Sequence, residues 1–532
     1  MKEFNNIREL VEFTSQKFSQ NTAFKIKNKV GKEVSYRNVT YTDLMDDIRA
    51  LGKYFLFHGL DKKRISVVGK NCYEWMLVFL SVLSVNGIII PIDKDLSKEL
   101  AEGQLKDSEA DALFYVGDFT EIFAENKNFL KVCMADDTFS KMLEEGRNLD
   151  NDADFDSIKV DSDKMSILLF TSGTSAASKA VMLSQRNITS DIYGMSLWED
   201  FKETDVNLAI LPFHHTFGMT QIVIFLSHGI CNVFCEGLRI AKALNEYKVT
   251  ILVAVPRITD EIYAKSIRTL EKRNKLKSVN RAIAFSGALK KIGIDIRRKL
   301  MKPLIDAMGG ALRMIIIGAA PANPDVIKWF NAIGVLTVQG YGLTETSPCV
   351  SAENEKNMRR GSVGKAIPGV DVKINEPDSD QIGEIIVKGK NVMLGYYNDE
   401  EKSHNVLKDG YFYTGDMGYI DKDGYIFITG RKKNVIVQGN GKNIYPEELE
   451  MMLSKSGYVK ECIVYNKREN DKDYICAKIV YDSELNEDEI RPEIEKHINK
   501  INSGLPMYKQ IKTYELTDKE MEKTSTLKIK RY

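Results

Sequence analysis

Residues 167–180 read ILLFTSGTSAASKA: four apolar residues, enough for a buried strand, run into a hydroxyl-rich loop that ends at Lys179. Side-chain hydroxyls, the backbone amides of a tight turn and a fixed positive charge together suit phosphate oxygens. The P-loop motif, Gly-x-x-x-x-Gly-Lys-Ser/Thr, matches at Gly173 and Lys179 but fails at Ser178 and Ala180. The stretch alone therefore leaves two interpretations open, a phosphate-binding loop of another kind and an ordinary polar loop.

The composition is that of a globular protein with a sizeable core and no net charge. The chain has 532 residues, of which 43% are hydrophobic and 28% charged. This length corresponds to roughly two to four domains. Lys and Arg together number 75, as do Asp and Glu, so no global field would draw the protein to nucleic acid or an anionic membrane. Specific recognition must come from local sites.

The cysteines and the apolar runs predict a cytoplasmic protein with no integral membrane segment. Of seven cysteines, only Cys231 and Cys235 lie close together, without the further ligands of a zinc site, so reduced thiols are expected. The N-terminus has no apolar signal core. The apolar run 75–92 is interrupted by Asn86, Gly87 and Pro91, and it predicts a core helix followed by a buried strand.

A regular alternation of apolar runs and helical patterns predicts a parallel, doubly wound α/β sheet. The predicted strands are 64–69, 87–92, 112–116, 207–212, 250–255 and 314–317. The acidic run 150–163 is interpreted as a solvated connection. From about residue 361, short β runs with turns replace this rhythm, and a small, highly charged α+β segment follows Gly430.

Three strand ends carry unusual residues. They are Pro212-Phe213-His214-His215-Thr216-Phe217-Gly218, Gly318-Ala319-Ala320-Pro321 and Gly340-Tyr341-Gly342-Leu343-Thr344-Glu345-Thr346. Ligands of doubly wound sheets bind beyond the carboxyl ends of the strands. We therefore expect the three segments to converge on one crevice, which would be the functional site.

The order of the motifs resembles that of the adenylate-forming superfamily, which includes acyl-CoA synthetases, firefly luciferase and nonribosomal-peptide adenylation domains. Within it, the chain is most similar to the long-chain fatty acyl-CoA synthetases. The resemblance covers nearly the whole chain and rests on six segments in the family's order. These are 171–180, 211–218, 341–345, 413–416, 430–446 and 523–528.

The resemblance implies an architecture of two domains. Residues 1–430 would form an N-terminal adenylation domain of doubly wound sheets with a distorted β-barrel subdomain. Residues 431–532 would form a small, mobile α+β domain that carries the catalytic Lys528 and turns about a hinge at Lys433. Such a rotation would let one active site perform two steps in sequence.

The resemblance also implies a reaction. Enzymes of this family convert a carboxylic acid and ATP to an acyl-adenylate with release of pyrophosphate, and then transfer the acyl group to CoA. Because an anion attacks a polyanion, positive charge and Mg²⁺ must neutralise the triphosphate. The expected partners are a small-molecule acid, ATP, CoA and Mg²⁺, with no nucleic acid. Two alternatives stay open, an acyl carrier protein as acceptor in trans and a non-catalytic binder of fatty acid or nucleotide.

The family's motifs assign roles to particular residues. Glu345 would help to hold Mg²⁺, Tyr341 would stack on adenine, and Asp416 would accept both ribose hydroxyls with the support of Arg431. The residues implied to bind ATP are Thr171, Ser172, Gly173, Thr174, Ser175, Lys179, Gly318, Ala319, Ala320, Gly340, Tyr341, Gly342, Thr344, Asp416 and Arg431.

Catalysis is assigned to Lys528, Thr344, Glu345 and His215, with His214 a weaker candidate. An ammonium between the carboxylate and the α-phosphate would offset their repulsion. Taken singly, Lys528 also fits a solvated basic tail, and the two histidines fit polar residues at a core edge. Gly439 and Gly441 would line the path of CoA, although an ordinary turn explains them equally well.

The chain departs from the family where Ala176 and Ala180 replace glycines and Ser178 replaces a proline. Alanine is tolerated there only if its φ is negative. Relatives that activate amino acids carry an aspartate after the strand that ends near Phe213, whereas residues 214–219 of this chain include no carboxylate. An uncharged tail, and hence a fatty or aromatic acid, is the expected substrate.

Overall fold

The structure is a computed structural model that describes residues 2–31, 33–122, 129–171, 179–235, 239–437, 442–469, 472–481, 486–523 and 529–531. Of residues 30, 469, 472 and 473 it describes the backbone alone. The chain divides into two compact units. The first comprises Met1–Thr171, Lys179–Asp371 and Lys388–Gly410, and the second includes Val372–Val387 and Tyr411–Tyr532.

The helices follow the chain in this order: α1 (Ile7–Lys17), α2 (Tyr41–Phe57), α3 (Tyr73–Ser84), α4 (Lys98–Asp107), α5 (Asp137–Asn148), α6 (Asp152–Ser157), α7 (Gln185–Trp198), α8 (Thr216–Ser227), α9 (Ile240–Tyr247), α10 (Pro256–Lys272), α11 (Leu276–Lys291), α12 (Arg297–Leu300), α13 (Lys302–Ala307), α14 (Pro324–Ile333), α15 (Glu400–Val406), α16 (Pro446–Leu453) and α17 (Glu487–Ser503). Short 3₁₀ helices span Thr344–Thr346, Lys432–Asn434 and Met507–Lys509.

The strands are β1 (Thr22–Val30), β2 (Glu33–Thr40), β3 (Arg64–Val68), β4 (Ile88–Ile92), β5 (Ala112–Tyr115), β6 (Leu130–Cys133), β7 (Met165–Thr171), β8 (Lys179–Ser184), β9 (Val206–Ala209), β10 (Cys231–Phe234), β11 (Ile251–Ala254), β12 (Met314–Ile317), β13 (Leu336–Gly342), β14 (Cys349–Ala352), β15 (Lys365–Ala366), β16 (Val370–Asn375), β17 (Gly383–Gly389), β18 (Gly395–Tyr396), β19 (Leu407–Lys408), β20 (Tyr411–Ile420), β21 (Ile426–Arg431), β22 (Ile436–Val437), β23 (Asn443–Ile444), β24 (Glu461–Glu469), β25 (Lys472–Val480) and β26 (Ile511–Thr517).

Two large sheets build the first unit. One has seven strands in the order β18-β8-β7-β4-β3-β5-β6, parallel from β7 to β6 and antiparallel at β8 and β18. The other has nine strands in the order β15-β14-β13-β12-β11-β9-β10-β1-β2, with a parallel centre from β13 to β1. Parallel strands covered by helices on both faces are apolar throughout, which is why short apolar runs predicted them.

The segment 73–92 forms a core helix and a buried strand, as its sequence predicted. Every residue of α3 except Glu74 is buried, and β4 continues from it into the seven-stranded sheet. None of the helices in the described ranges combines the length and apolarity needed to cross a bilayer. No disulfide joins any of the seven cysteines, all of which lie in the described ranges.

The acidic run 150–163 is largely exposed, as predicted for a solvated connection, but one aromatic residue docks it on the first unit. Its helix α6 inserts Phe155, whose side chain is fully buried, beneath the guanidinium of Arg8 at 4.1 Å from the ring centre. Arg8 also donates a hydrogen bond to the Phe155 carbonyl, and Arg49 pairs with Asp156 at 2.8 Å. One aromatic residue among the acids is enough to dock the segment, while its carboxylates pair with arginines at the surface.

The second unit is smaller and mixes strands and helices. Strands β17 and β21 both pair antiparallel with β20. Further along the chain, β24 pairs antiparallel and β26 parallel with β25, and α17 packs Ile490, Ile494 and Ile498 into the same core. The predicted fold class, an α/β fold with large N-terminal sheets and a small α+β C-terminal part, is confirmed. The domain boundary at residue 430 stays a prediction.

Three carboxyl groups lie buried in the first unit near the ends of β13 and β14. Asp191 accepts a hydrogen bond from the Cys349 amide, and Glu353 accepts from the amides of Arg359 and Gln339. Burial raises the pKa of Glu199 to about 8, an effect that Arg313 opposes and that Asp200 and Glu353 reinforce. Burial likewise raises the pKa of Glu353 to about 7 and that of Asp191 well above its usual range.

These groups predict that the protein loses stability as the pH rises. A carboxyl with a raised pKa stabilises the folded state fully below its unfolded pKa, near 4.5 for Glu199, and this contribution is lost as the pH rises through the folded value near 8. Glu199→Gln should therefore flatten the pH dependence of the free energy of unfolding between pH 5 and 8. One proton corresponds to a slope of about 1.4 kcal/mol per pH unit.

Urea unfolding at several pH values measures this slope. Glu203→Gln, an amide substitution at an exposed glutamate, is the matched control and should leave the slope unchanged. An unchanged slope in Glu199→Gln, with two-state unfolding in both variants, would contradict the assignment.

Candidate active site

The predicted strand ends do converge at one edge of the nine-stranded sheet. Strands β13, β12, β11 and β9 are adjacent and parallel in that order, so their carboxyl ends lie side by side. Residues 210–218 follow β9, residues 318–320 follow β12, and residues 340–346 end and follow β13. The topology therefore supports the expectation of a crevice at this edge.

The two ends of the phosphate-loop segment lie on β7 and β8 of the seven-stranded sheet. Thr171 ends β7 opposite Lys179, which begins β8, and the Thr171 hydroxyl lies 3.4 Å from the Lys179 carbonyl. Ser172, Gly173, Thr174 and Ser175, with Ala176 and Ser178, lie outside the described residues. Ala180 pairs with Phe170 inside β8 and has no positive φ, so the alanine causes no backbone strain there.

The two sheets meet at the hydroxyl of Tyr396, a contact that we call the Tyr396 bridge. Lys179 Nζ, from the seven-stranded sheet, lies 3.4 Å from Tyr396 Oη and 4.8 Å from the ring centre. Tyr396 Oη in turn donates a hydrogen bond of 2.9 Å to Glu345 Oε1, beyond the end of β13 in the nine-stranded sheet. One neutral hydroxyl thus contacts both the cation and the carboxylate that are predicted to bind the same ligand.

The segment 391–397 fixes this arrangement through backbone hydrogen bonds and through the side-chain amide of Asn391. Asn391 donates to the carbonyls of Thr346 and Cys349, at 3.0 and 2.8 Å. The Met393 amide donates to the Glu345 carbonyl, and Tyr396 pairs with Val181 of β8. The segment therefore ties the Glu345 turn to the strand that carries Lys179.

Asn391 and Tyr396 were missed by sequence reasoning. Their only signal is local: an asparagine and a Gly-Tyr pair within the partly apolar stretch 391–397, which follows a predicted β run. Nothing in that pattern indicates that the tyrosine reaches two other segments more than fifty residues away. The contact depends on the three-dimensional pairing of β18 with β8.

The turn that carries Thr344 and Glu345 is packed so closely at Gly342 that no side chain fits there. A Cβ on Gly342 would lie 1.7 Å from the Pro348 carbonyl oxygen, so only glycine fits there. Thr346 Oγ1 accepts a hydrogen bond from the Leu343 amide and donates one of 2.6 Å to the Pro348 carbonyl. Thr344 and Glu345 are half-buried, and Tyr341 on β13 is also half-buried.

The segment proposed to pack against adenine follows β12 directly. A Cβ on Gly318 would lie 2.8 Å from the Phe217 ring, which explains the glycine by close approach. Ala319 has a φ of +69°, a left-handed conformation that costs an alanine about 1 kcal/mol or more. Such strain is most often retained at functional sites.

The two histidines have different surroundings. His214 is buried with its Nε2 3.5 Å from Asp93 Oδ1, and burial lowers its pKa against the opposing effect of the Asp93 and Asp95 carboxylates. This environment fits a polar residue satisfied at the core edge. His215 is half-buried immediately before α8, with its ring 4.2 Å from that of His214, and its role in substrate positioning stays a prediction.

The predicted ribose-binding pair lies in the second unit. Asp416 is buried on β20, and Arg431 directly opposite on β21 donates from Nε to its Oδ1 at 2.7 Å. Arg431 also reaches the Thr414 carbonyl at 3.4 Å. The guanidinium therefore orients the Asp416 carboxylate, and the role of the pair in binding ribose stays a prediction.

The remaining predicted residues can be placed only in part. Lys433 is exposed in the 3₁₀ helix after β21, and the neighbouring Lys432 pairs with Glu384 at 2.7 Å. Lys528, Gly439 and Gly441 lie outside the described residues. Within the described ranges, no three His, Cys, Asp or Glu side chains cluster closely enough to hold a metal ion on their own.

Comparison with known proteins agrees with this geometry. The AMP-binding enzyme family model matches residues 12–397, and the model of the AMP-binding enzyme C-terminal domain matches residues 433–532. The long-chain-fatty-acid–CoA ligase of Bacillus subtilis is 27% identical over 97% of this chain and 93% of its own length. Long chain acyl-CoA synthetase 4 of Arabidopsis thaliana is 30% identical over 82% of this chain and 72% of its own.

Solved structures share the fold. The o-succinylbenzoate CoA synthetase of Bacillus subtilis, in complex with its acyl-adenylate, has a TM-score of 0.76 at 20% identity, over 98% of this chain and 96% of that chain. An anthranilate CoA ligase in complex with anthranoyl-AMP has a TM-score of 0.78 at 20% identity, over 100% of this chain and 96% of that chain. The chain therefore belongs to the AMP-binding enzyme family of adenylate-forming acid–CoA ligases.

Proposed function

We propose that the protein activates a fatty acid with ATP to an acyl-adenylate, releases pyrophosphate, and transfers the acyl group to CoA. The observation that carries this proposal is the Tyr396 bridge, which brings the lysine of the phosphate-loop segment to the carboxylate of the Thr344–Glu345 turn. A triphosphate with a bound cation needs these two charges close together but not neutralised by each other. The tyrosine hydroxyl separates them and holds both.

The residues at the first unit's sheet edge would divide the work of binding ATP. Lys179 supplies a fixed positive charge for the β- and γ-phosphates, and Thr344 supplies a hydroxyl for the α-phosphate. Such pre-placed donors lower the barrier because they need no reorganisation as charge develops. Tyr341 and the Gly318–Ala320 segment would hold the adenine ring. From the second unit, Asp416, oriented by Arg431, would accept the ribose hydroxyls.

Glu345 is suited to hold Mg²⁺ together with the phosphates. Mg²⁺ in such sites is bound by one or two carboxylates and by substrate phosphate oxygens, so a full protein cage is not required. Glu345 Oε1 already accepts a hydrogen bond from the Tyr396 hydroxyl, and the carboxylate retains further lone pairs that can bind a cation. Mg²⁺ would neutralise part of the triphosphate charge that opposes attack by the acid.

An apolar acid fits the residues beyond β9. The segment from Phe213 to Met219 contains no carboxylate that would pair with a substrate amine, and α8, which follows β9, is almost entirely buried and carries no charged side chain. The curated relatives described above are named for long-chain acids, which supports a fatty acid. The two solved structures are named for aromatic acids, so an aromatic acid is the competing substrate class. All four are named for CoA, which favours CoA over a carrier protein.

The C-terminal part would supply the last cation. We place the boundary of the mobile domain at residues 430–431, with Lys433 as the hinge and Lys528 as the catalytic lysine. Gly439 and Gly441 would admit the pantetheine chain of CoA in the second step. Dividing the steps between two orientations of this domain would keep water and thiol away from the phosphates during the first step.

A pyrophosphate-release assay over a panel of fatty and aromatic acids, with and without CoA, tests this function. We expect release that depends on a fatty acid, and AMP release that depends on CoA. Lys528→Ala should slow acyl-adenylate formation on the order of 100-fold or more, because the charge between the two anions is lost. Lys530→Ala, which removes a nearby exposed lysine paired with Glu522, is the control and should leave the rate unchanged.

Two results would overturn the proposal. The function would be wrong if no acid in the panel produced pyrophosphate with the wild-type enzyme. Equal rates of adenylate formation in Lys528→Ala, Lys530→Ala and the wild type would refute the assignment of the catalytic lysine.

The Tyr396 bridge predicts a second result. In Tyr396→Phe the ammonium and the carboxylate would lose their spacer and pair directly, and ATP and Mg²⁺ would have to break that pair. We expect the KM for MgATP and the Mg²⁺ concentration for half activity to rise roughly two- to tenfold. The kcat at saturating MgATP should change less.

Tyr397→Phe is the matched control because it removes the same group from the next residue. The Tyr397 hydroxyl accepts from Arg64 and contacts neither Lys179 nor Glu345 through any hydrogen bond described for it. Equal changes of KM in both variants would indicate a merely structural role for Tyr396.

A further inference from the structure

A strongly basic stretch lies in the first unit, between β11 and β12 along the chain. Residues 272–299 contain ten Lys and Arg and a single acidic residue, Asp295, although the whole chain carries 75 residues of each sign. The stretch runs from the end of α10 through α11 into α12. Local charge of this density creates a field that the neutral total conceals.

Helix α11 has two distinct faces. Val279, Ala282 and Ile283 pack against the core formed beneath the nine-stranded sheet. The opposite face exposes Lys277, Arg281 and Phe285, which follow one another at helical spacing. The helix is therefore anchored by its apolar side and presents a mixture of cations and an aromatic ring to the outside.

The exposed apolar residues continue beyond the helix. Phe285 is 59% exposed, and Ile292 and Ile294, in the turn after α11, are 70% and 50% exposed. Leu300 is 41% exposed. Large apolar side chains exposed this far are individually common, but four within sixteen residues form a patch, and such patches mark interaction surfaces.

The cations of this surface are not used to fold the protein. Arg297 and Arg298 do serve the fold, because they bond to Asp295 and to the carbonyls of Asn331, Leu312 and Gly334. By contrast, Lys277, Arg281 and Lys291 form no ion pair with any residue that the structure describes. Their charges are available to an external partner.

We propose that Lys277, Arg281, Phe285, Lys291, Ile292 and Ile294 form a docking surface for an anionic lipid bilayer. Cations attracted by lipid phosphates and apolar side chains inserted at the depth of the headgroups are the two components of interfacial binding. Nucleic acid would satisfy the cations but would leave the two isoleucines in water. The interleaving of both residue types therefore favours a bilayer.

This surface lets the protein bind a membrane peripherally without any spanning segment. Each Lys or Arg near an anionic surface contributes about 1 kcal/mol, and the attraction decays within the Debye length. Binding should thus require anionic lipid and should weaken with salt. The inference does not depend on the proposed function, because binding is measured without substrate.

Flotation of the full-length protein with vesicles provides the test. We expect binding to phosphatidylcholine vesicles that contain phosphatidylglycerol, little binding to phosphatidylcholine alone, and release at high salt. The charge variant Lys277→Ser, Arg281→Ser, Lys291→Ser should lower the partition coefficient on the order of tenfold to a hundredfold. The apolar variant Phe285→Ser, Ile292→Ser should lower it by a similar factor at every salt concentration at which the wild type still binds, because apolar burial is not screened.

Matched controls carry the same changes at exposed positions elsewhere. Lys106→Ser, Lys141→Ser, Lys159→Ser controls for charge, and Phe57→Ser, Leu197→Ser controls for apolar exposure. Both controls should bind vesicles like the wild type, and all variants should keep the wild-type melting temperature. Equal binding of neutral and anionic vesicles, or an equal loss in the variants and their controls, would overturn the proposal. So would binding of duplex DNA in place of vesicles, or self-association that only the surface variants abolish.

Discussion

The contact on which the site depends is the hydroxyl of Tyr396, between the ammonium of Lys179 and the carboxylate of Glu345. Lys179 begins a strand of one large sheet, and Glu345 follows a strand of the other. Because Lys179 and Glu345 belong to different sheets, the strand pairing within each sheet does not by itself fix the distance between their charges. A neutral donor and acceptor between them fixes their separation, and it prevents the direct ion pair that would otherwise neutralise both. The site therefore depends on the segment that carries Tyr396, whose strand β18 forms the edge of the seven-stranded sheet and brings the hydroxyl to Glu345.

That segment, residues 391–397, acts through the backbone as much as through side chains. Tyr396 pairs with β8, the Met393 amide bonds to the Glu345 carbonyl, and Asn391 bonds to two carbonyls near the Glu345 turn. Tyr397, the residue after the strand, instead accepts a hydrogen bond from Arg64. Backbone pairing is insensitive to side-chain identity, so it can hold the turn while the Tyr396 side chain contacts Lys179 and Glu345. The strained φ of Ala319 shows that the neighbouring loop after β12 is also held against its local preference.

Sequence patterns predicted the strands and their special ends because both are local properties. Apolar runs such as 64–68 and 314–317 are buried on both faces of a parallel sheet and need no partner to be recognised. The convergence of strand ends followed from the parallel topology alone. Three features could not be predicted in this way: the Tyr396 bridge, the buried Glu199 and Glu353, and the docking of Phe155 within an acidic run. Each depends on which distant segment covers a residue, and that is set by packing and not by the residue's neighbours. The positive φ of Ala319 was missed for a similar reason. Ala319 follows Gly318, which the Phe217 ring approaches closely, and the local sequence does not indicate that contact.

The central claim is that Lys179 and Glu345 bind one ligand, a triphosphate with its cation. Calorimetric titration of MgATP into the wild type, Lys179→Met, Glu345→Gln and the double variant tests it most directly. If both side chains hold the same ligand, each single change weakens binding at least about tenfold, and the loss in the double variant differs clearly from the sum of the two. MgATP binding at full affinity in the double variant would contradict the account.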